Sequence, residues 1–164
     1  MKAYLLVFEI DPMQVGKTYA SLPLHCTLVN WFWSPVAANE LVAALEPIIS
    51  KSLPVTLHSR GVETFTGFTK IGTIPVTVNT VVPTEDIVTL HSLTCKQLDS
   101  LSCTYMKPEF VKAGYRPHAT QHHASKLESG TSVNSVTVYL ISADAPEYGN
   151  DRTVVYRFTS LPAK

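Results

Sequence analysis

Leu22-Pro23-Leu24-His25-Cys26-Thr27-Leu28 contains a His-x-Thr motif, and Tyr115-Arg116-Pro117-His118-Ala119-Thr120 contains a second one in the other half of the chain. A proline precedes each motif, which suits the start of a strand. Because side chains alternate faces along a strand, His25 and Thr27 should share one face, and His118 and Thr120 another. Two imidazoles, each beside a hydroxyl, could hold and cleave a phosphodiester, with one histidine as base and the other as acid.

The motif is short, and a third match occurs at His123-Ala124-Ser125. The positions of the first two motifs make the pattern more specific, because each of them belongs to its own half of the chain. The pattern predicts the following strands and helices: strands at 2–10, 23–33, 55–59, 62–70, 75–82, 115–123, 133–142 and 153–161, and helices from Ser34-Pro35 to Pro54 and at 84–103.

The two motifs resemble those of the two-histidine phosphoesterase superfamily, which includes LigT-like proteins, 2'-5' RNA ligases and cyclic phosphodiesterases. The resemblance covers nearly the whole chain. An apolar residue, Leu28, follows the first motif as in the family, whereas Gln121 follows the second. The arginine that often follows the motif in LigT relatives is absent, and Asn30 and His123 stand at the equivalent offsets.

This resemblance implies an α+β fold with two lobes related by a pseudo-twofold axis, antiparallel sheets lining a central cleft and helices outside. It also implies a metal-independent phosphodiesterase without a cofactor. The expected substrate is a 2',3'-cyclic phosphate, a 2'-5' linked oligonucleotide such as oligoadenylate, or a cyclic nucleotide or dinucleotide, including one that serves as an immune signal. His25 and His118 would be the catalytic acid and base, and Thr27 and Thr120 would hold the phosphoryl oxygens.

The composition favours one globular domain spanning residues 1–164, because 45% of the residues are hydrophobic. Only 16% are charged and the formal net charge is zero, which excludes the basic footprint of a protein that holds long nucleic acid. The expected ligand is therefore a small nucleotide or the end of an oligonucleotide, and we expect a monomer.

Three cysteines without C-x-x-C spacing indicate a reducing compartment. The chain has no evident signal peptide and no apolar run long enough to span a membrane, so we expect a cytoplasmic protein without a membrane partner. Cys26 alternates with His25 and Thr27 and should face the core. The alternative is a nucleophilic Cys26.

Four further residues are candidates for substrate binding. Tyr19 lies in the loop before the first motif, and Tyr115 and Arg116 lie directly before the second. Strand parity places Trp31 on the face of His25 and Thr27, where it could stack on a base. The alternatives are that Trp31 packs in the core and that Arg116 is an exposed charge at a strand end.

Other functions remain open at this point. His118, His122 and His123, with His25, could form a metal site, which would indicate a metal-dependent hydrolase. The domain could instead bind or sequester a nucleotide without turnover, or the two histidines could be unrelated residues on two strands.

Overall fold

A computed structural model describes residues 2–69, 72–121, 126–146 and 151–162. These residues form two antiparallel sheets and two α-helices, which confirms the predicted α+β class. The strands are β1 (Lys2–Glu9), β2 (Thr18–Tyr19), β3 (His25–Ser34), β4 (Val55–Thr69), β5 (Gly72–Val81), β6 (Thr104–Tyr105), β7 (His118–Thr120), β8 (Ser132–Ser135), β9 (Thr137–Ala143) and β10 (Arg152–Thr159). The α-helices are α1 (Ala38–Ser52) and α2 (Glu85–Ser100), and two 3-10 turns lie at Pro108–Phe110 and Lys112–Gly114.

The larger sheet has the strand order β2-β10-β9-β1-β3-β6 and is buried on both faces around β1. One face of β1, with Leu6 and Phe8, joins the main core with both helices. The other face, with Leu5 and Val7, packs in a second apolar cluster with residues of β9, β10 and the loop before β3. Burial on both faces explains why β1 is continuously apolar rather than alternating.

Each helix turns an apolar stripe towards the main core. Leu41 and Leu45 are fully buried on α1, and Ile87 and Leu98 are fully buried on α2. The hydroxyl of Thr84 accepts a hydrogen bond from the backbone N–H of Ile87, so the predicted N-cap of α2 is confirmed. The predicted start of α1 is wrong, because Ser34 and Pro35 precede the helix and Ser34 ends β3.

The smaller sheet has the order β7-β5-β4-β8. The sequence predicted separate strands at 55–59 and 62–70, but β4 continues through Arg60-Gly61, and a shift of register between Ser59 and Gly61 absorbs the irregularity. Beyond this point, residues 61–69 of β4 and 72–77 of β5 extend as a largely exposed hairpin, called the hairpin arm below.

Strand β3 carries two irregularities that break its alternation. Its pairing with β1 runs from Tyr4↔Phe32 to Leu6↔Val29 and then to Val7↔Thr27, which adds two residues to β3. Each added residue reverses which face the following side chains occupy. Val29 is consequently buried in the main core, and the prediction that it shares a face with Thr27 is wrong.

None of the helices in the described part of the chain is long and apolar enough to cross a membrane.

Candidate active site

The two motifs meet where the larger sheet adjoins the smaller one. His25 and Thr27 lie on β3 of the larger sheet, and His118 begins β7 at the edge of the smaller sheet. The Tyr115 hydroxyl donates a 2.8 Å hydrogen bond to the backbone carbonyl of Thr27. The His118 backbone also acts on the Cys26 thiol, whose pKa it lowers against the larger effect of burial. These contacts connect the first motif directly to the second.

Both motif histidines are held in the same way. Nδ1 of His25 lies 2.8 Å from the carbonyl oxygen of Pro23, and Nδ1 of His118 lies 2.7 Å from the carbonyl oxygen of Arg116. A carbonyl oxygen can only accept a hydrogen bond, so the neutral rings carry their proton on Nδ1. Nε2 of each ring is therefore the atom that can take up a proton and later release it.

A cleft of about 530 Å³ lies between the two sheets, and Thr27, His118 and Thr120 line it. His25 is two residues from Thr27 on the same side of β3 and is half-buried like Thr27. The cleft lining thus includes three of the four predicted catalytic residues, and the fourth stands beside it on the same strand.

His118 lies among aromatic and charged groups. Its ring meets the edge of Phe65 at a centroid distance of 4.6 Å, and the guanidinium of Arg116 lies 4.6 Å from the centre of the same Phe65 ring. Arg116 also forms a 2.7 Å ion pair with Glu63. Burial lowers the pKa of His118, the Arg116 charge lowers it further, and the bond to the Arg116 carbonyl opposes both. The ring is therefore neutral at neutral pH.

On the other side, His25 lies opposite Glu9 in the pairing of β3 with β1. Directly paired residues share a face of the sheet, so the Glu9 side chain is on the side of His25. The hydroxyl of Tyr139 donates a hydrogen bond to the Glu9 carboxylate. A carboxylate on β1 is thus held next to the strand that carries the first motif.

Of the residues predicted to bind substrate, Tyr115 and Arg116 line the cleft. Tyr19 and Trp31 are outside its lining and pack against the second apolar cluster. Tyr19 is on β2, which is separated from β3 by three strands. Asn30, one residue before Trp31, lies in the cleft lining instead, and Trp31 lies on the side of the second apolar cluster.

Sequence reasoning missed several residues of the cleft. Asn30 and Lys107 are polar residues of this lining, and Phe110 adds an aromatic ring. For Asn30 the only signal is its offset from the first motif. The hairpin arm supplies most of the remaining lining residues, Thr64, Phe65, Thr66, Gly67 and Val76, and Val78 follows the arm on β5.

Two alternative chemistries can be compared with the structure. Cys26 is fully buried, and burial raises the pKa of its thiol to about 12, so it is a protonated core residue rather than a nucleophile. His122 and His123 of the possible metal site lie outside the described residues. Within residues 2–69, 72–121, 126–146 and 151–162, no group of three or more His, Cys, Asp or Glu residues could hold a metal ion.

Comparison with known proteins identifies the family. The family model of the 2'-5' RNA ligase superfamily matches residues 9–145. No curated protein sequence matches the chain. Crystal structures of Escherichia coli LigT with 3'-AMP and with ATP superpose with TM-scores of 0.58 and 0.51 at 15% and 16% identity, each covering 98% of this chain and 99% of that chain. A structure described as a phosphoesterase superposes with a TM-score of 0.55 at 15% identity, covering 98% of this chain and 99% of its own. The chain belongs to the 2'-5' RNA ligase superfamily of two-histidine phosphoesterases.

Proposed function

We propose that this protein is a metal-independent phosphodiesterase in which His25 and His118 are the acid and base and Thr27 and Thr120 hold the phosphoryl group. One observation carries the proposal: both histidines, on adjoining strands, are fixed by the same Nδ1–H bond to a carbonyl two residues earlier. This bond leaves Nε2 of each ring for proton transfer.

In the proposed reaction, the neutral His118 removes a proton from the attacking water or ribose hydroxyl. The new oxygen–phosphorus bond forms as the bond to the leaving oxygen breaks, and His25, protonated on both ring nitrogens at the start, donates its Nε2 proton to that oxygen. The hydroxyls of Thr27 and Thr120 stabilise the charge that develops on the non-bridging oxygens. The lowered pKa of His118 supports its role as base, because a neutral imidazole is needed at the start.

The chemistry of the cleft favours a small phosphorylated ligand. Its lining contains two cations, Lys107 and Arg116, and four threonine hydroxyls. In the part of the chain that the structure describes, no carboxylate belongs to that lining. Crystal structures of E. coli LigT were obtained with 3'-AMP, NADP+ and ATP, which supports nucleotides as the ligand class. The proposed substrates are a 2',3'-cyclic phosphate, a 2'-5' linked oligonucleotide or a cyclic nucleotide or dinucleotide, with degradation of a nucleotide immune signal as one physiological role.

A turnover screen tests this proposal. The wild type, His25→Ala and His118→Ala would be incubated in EDTA with 2',3'-cyclic mononucleotides, 2'-5' oligoadenylate and cyclic dinucleotides, and products would be resolved by chromatography and phosphorus NMR. We expect one substrate class to be cleaved, with a loss of about a hundred- to ten-thousandfold in either variant.

His58→Ala is the matched control, because His58 is an exposed histidine on β4 whose Nδ1 is 2.6 Å from the Ser132 hydroxyl, outside the cleft lining. It should retain wild-type turnover. Tight binding of one nucleotide without cleavage would replace the proposal with a sequestering module. Turnover that EDTA abolishes would replace it with a metal-dependent hydrolase.

A further inference from the structure

His91 on α2 is a buried histidine that the proposed reaction does not use. Only 1% of its surface is exposed. Its Nδ1 lies 2.7 Å from the carbonyl oxygen of Leu28 on β3, and its Nε2 accepts a 2.8 Å hydrogen bond from the backbone N–H of Lys112. The ring must therefore be neutral, with its proton on Nδ1. It connects the strand of the first motif to the segment that leads into the second.

The same ring lies flat against Tyr115. The two ring centroids are 3.8 Å apart and the planes differ by 2°. The hydroxyl of Tyr115 donates to the carbonyl oxygen of Thr27, so the stack ends on the backbone of a predicted catalytic residue. Helix α2, β3 and the segment before His118 thus meet through one pair of rings.

The segment between these contacts has a strained backbone. Lys112 has a φ of 58°, in the left-handed region that non-glycine residues rarely adopt. Such a conformation persists only where the surrounding structure imposes it. Helix α2 holds this strained residue at two points. His91 accepts the hydrogen bond from the backbone N–H of Lys112, and Asp99 pairs with the Lys112 ammonium at 2.8 Å.

We propose that His91 and Tyr115 are positioning residues that hold the two His-x-Thr motifs in their catalytic arrangement. His91 sets the path of the segment that carries His118, and Tyr115 ties that segment to the carbonyl of Thr27. The inference rests on the proposed function of the same site. Neither residue transfers a proton, and both act through the placement of the motif residues.

Tyr115→Phe tests this most directly, because it keeps the ring that stacks on His91 and lines the cleft and removes only the hydroxyl bonded to Thr27. We expect kcat to fall about ten- to a hundredfold with KM changed by less than about twofold, since small misplacements of reacting groups cost this much. Tyr156→Phe is the control, because it also removes a single hydroxyl hydrogen bond, 2.8 Å to the Glu46 carboxylate of α1, and neither residue lines the cleft. It should retain wild-type kcat.

Measuring kcat for Tyr115→Phe in two backgrounds distinguishes a positioning role of Tyr115 from a general loss of folded protein. In the Thr27→Ala background, Tyr115→Phe should cost much less than in the wild type, because interacting residues are not additive. Equal losses in both backgrounds, or a wild-type kcat in Tyr115→Phe, would overturn the proposal.

NMR without substrate keeps the inference independent of turnover. The imidazole resonances of His25 and His118 should move in Tyr115→Phe and in His91→Phe, and stay in place in Tyr156→Phe. Should the wild type cleave none of the screened substrates, the proposed function would fail while this measurement would still decide the positioning role. Unchanged resonances in Tyr115→Phe would refute that role, even if His91→Phe did not fold.

Discussion

His118 illustrates how single contacts adapt a common side chain to one step of a reaction. Burial and the neighbouring Arg116 charge both favour its neutral form, and the bond to the Arg116 carbonyl opposes them. An ordinary histidine has a pKa of 6.5, and that of His118 is lower. A base with a lowered pKa remains active further into the acid range.

The pH dependence of the reaction should reflect this environment. We expect the acid limb of kcat/KM to fall below pH 6.5 in the wild type and to move to higher pH in Arg116→Gln, because the substitution removes a charge that lowers the pKa of His118. The pH–rate profile would measure the acid limb in the wild type and in Arg116→Gln, and an NMR titration would measure the pKa of His118 in each. Arg157→Gln is the control, because it removes one positive charge at an exposed position of β10. It should leave the acid limb in place. A limb that stays put or moves to lower pH in Arg116→Gln would contradict this account.

Among the elements, the hairpin arm supplies one wall of the cleft although it contributes little to the core. Its contacts with the second motif and the residues beside it include the Glu63–Arg116 ion pair, the stacking of Arg116 on Phe65 and the edge contact of Phe65 with His118. An exposed ion pair contributes at most about 1 kcal/mol, so its loss should loosen the arm without unfolding the protein.

Glu63→Ala should therefore accelerate amide hydrogen exchange in residues 62–67 by up to about fivefold, with little change in Tm. Glu128→Ala is the control. It removes an exposed ion pair, 3.6 Å between Glu128 and Lys126, that involves no residue of the arm. Exchange mass spectrometry would compare them. Equal exchange in Glu63→Ala and the wild type would mean that strand pairing alone holds the arm.

For the whole molecule, two buried or half-buried histidines couple stability to pH. Burial lowers the pKa of His91, and the bond to the Leu28 carbonyl opposes this effect only in part. The pKa of His118 is also lowered, as described above. The groups facing His91 are the Cys95 thiol, the Tyr115 ring and the Lys112 N–H, and none is a compensating carboxylate.

Unfolding should therefore become easier in mild acid. Below pH 6.5 the unfolded chain binds more protons than the folded one, so the free energy of unfolding should be highest above pH 6.5 and fall as the pH drops through the lowered pKa values. The slope is at most about 1.4 kcal/mol per pH unit for each histidine. Urea denaturation between pH 5 and 8 would measure it, and stability that rises from pH 7 to pH 5 would rule it out.

Local patterns were enough for much of this result. The His-x-Thr motifs, the apolar run of β1 and Thr84 predicted strands and the start of α2, because alternation and capping depend on residues close in sequence. The α+β class was implied by the family resemblance that the two motifs carry. The same patterns failed where the chain departs from regular geometry. Arg60-Gly61 resembled a turn, and the start of α1 was placed too early.

Contacts between distant segments decided the rest. The added residues of β3 interrupt its alternation, so that Val29 is buried in the main core and Asn30 lines the cleft. Such a register shift depends on how β3 pairs with β1 rather than on the sequence of β3 alone. The stack of His91 on Tyr115 joins α2 to a segment beyond β6. The motif residues could be named from sequence because their spacing is local, whereas their alignment and electrostatic surroundings arise only when the two sheets pack together.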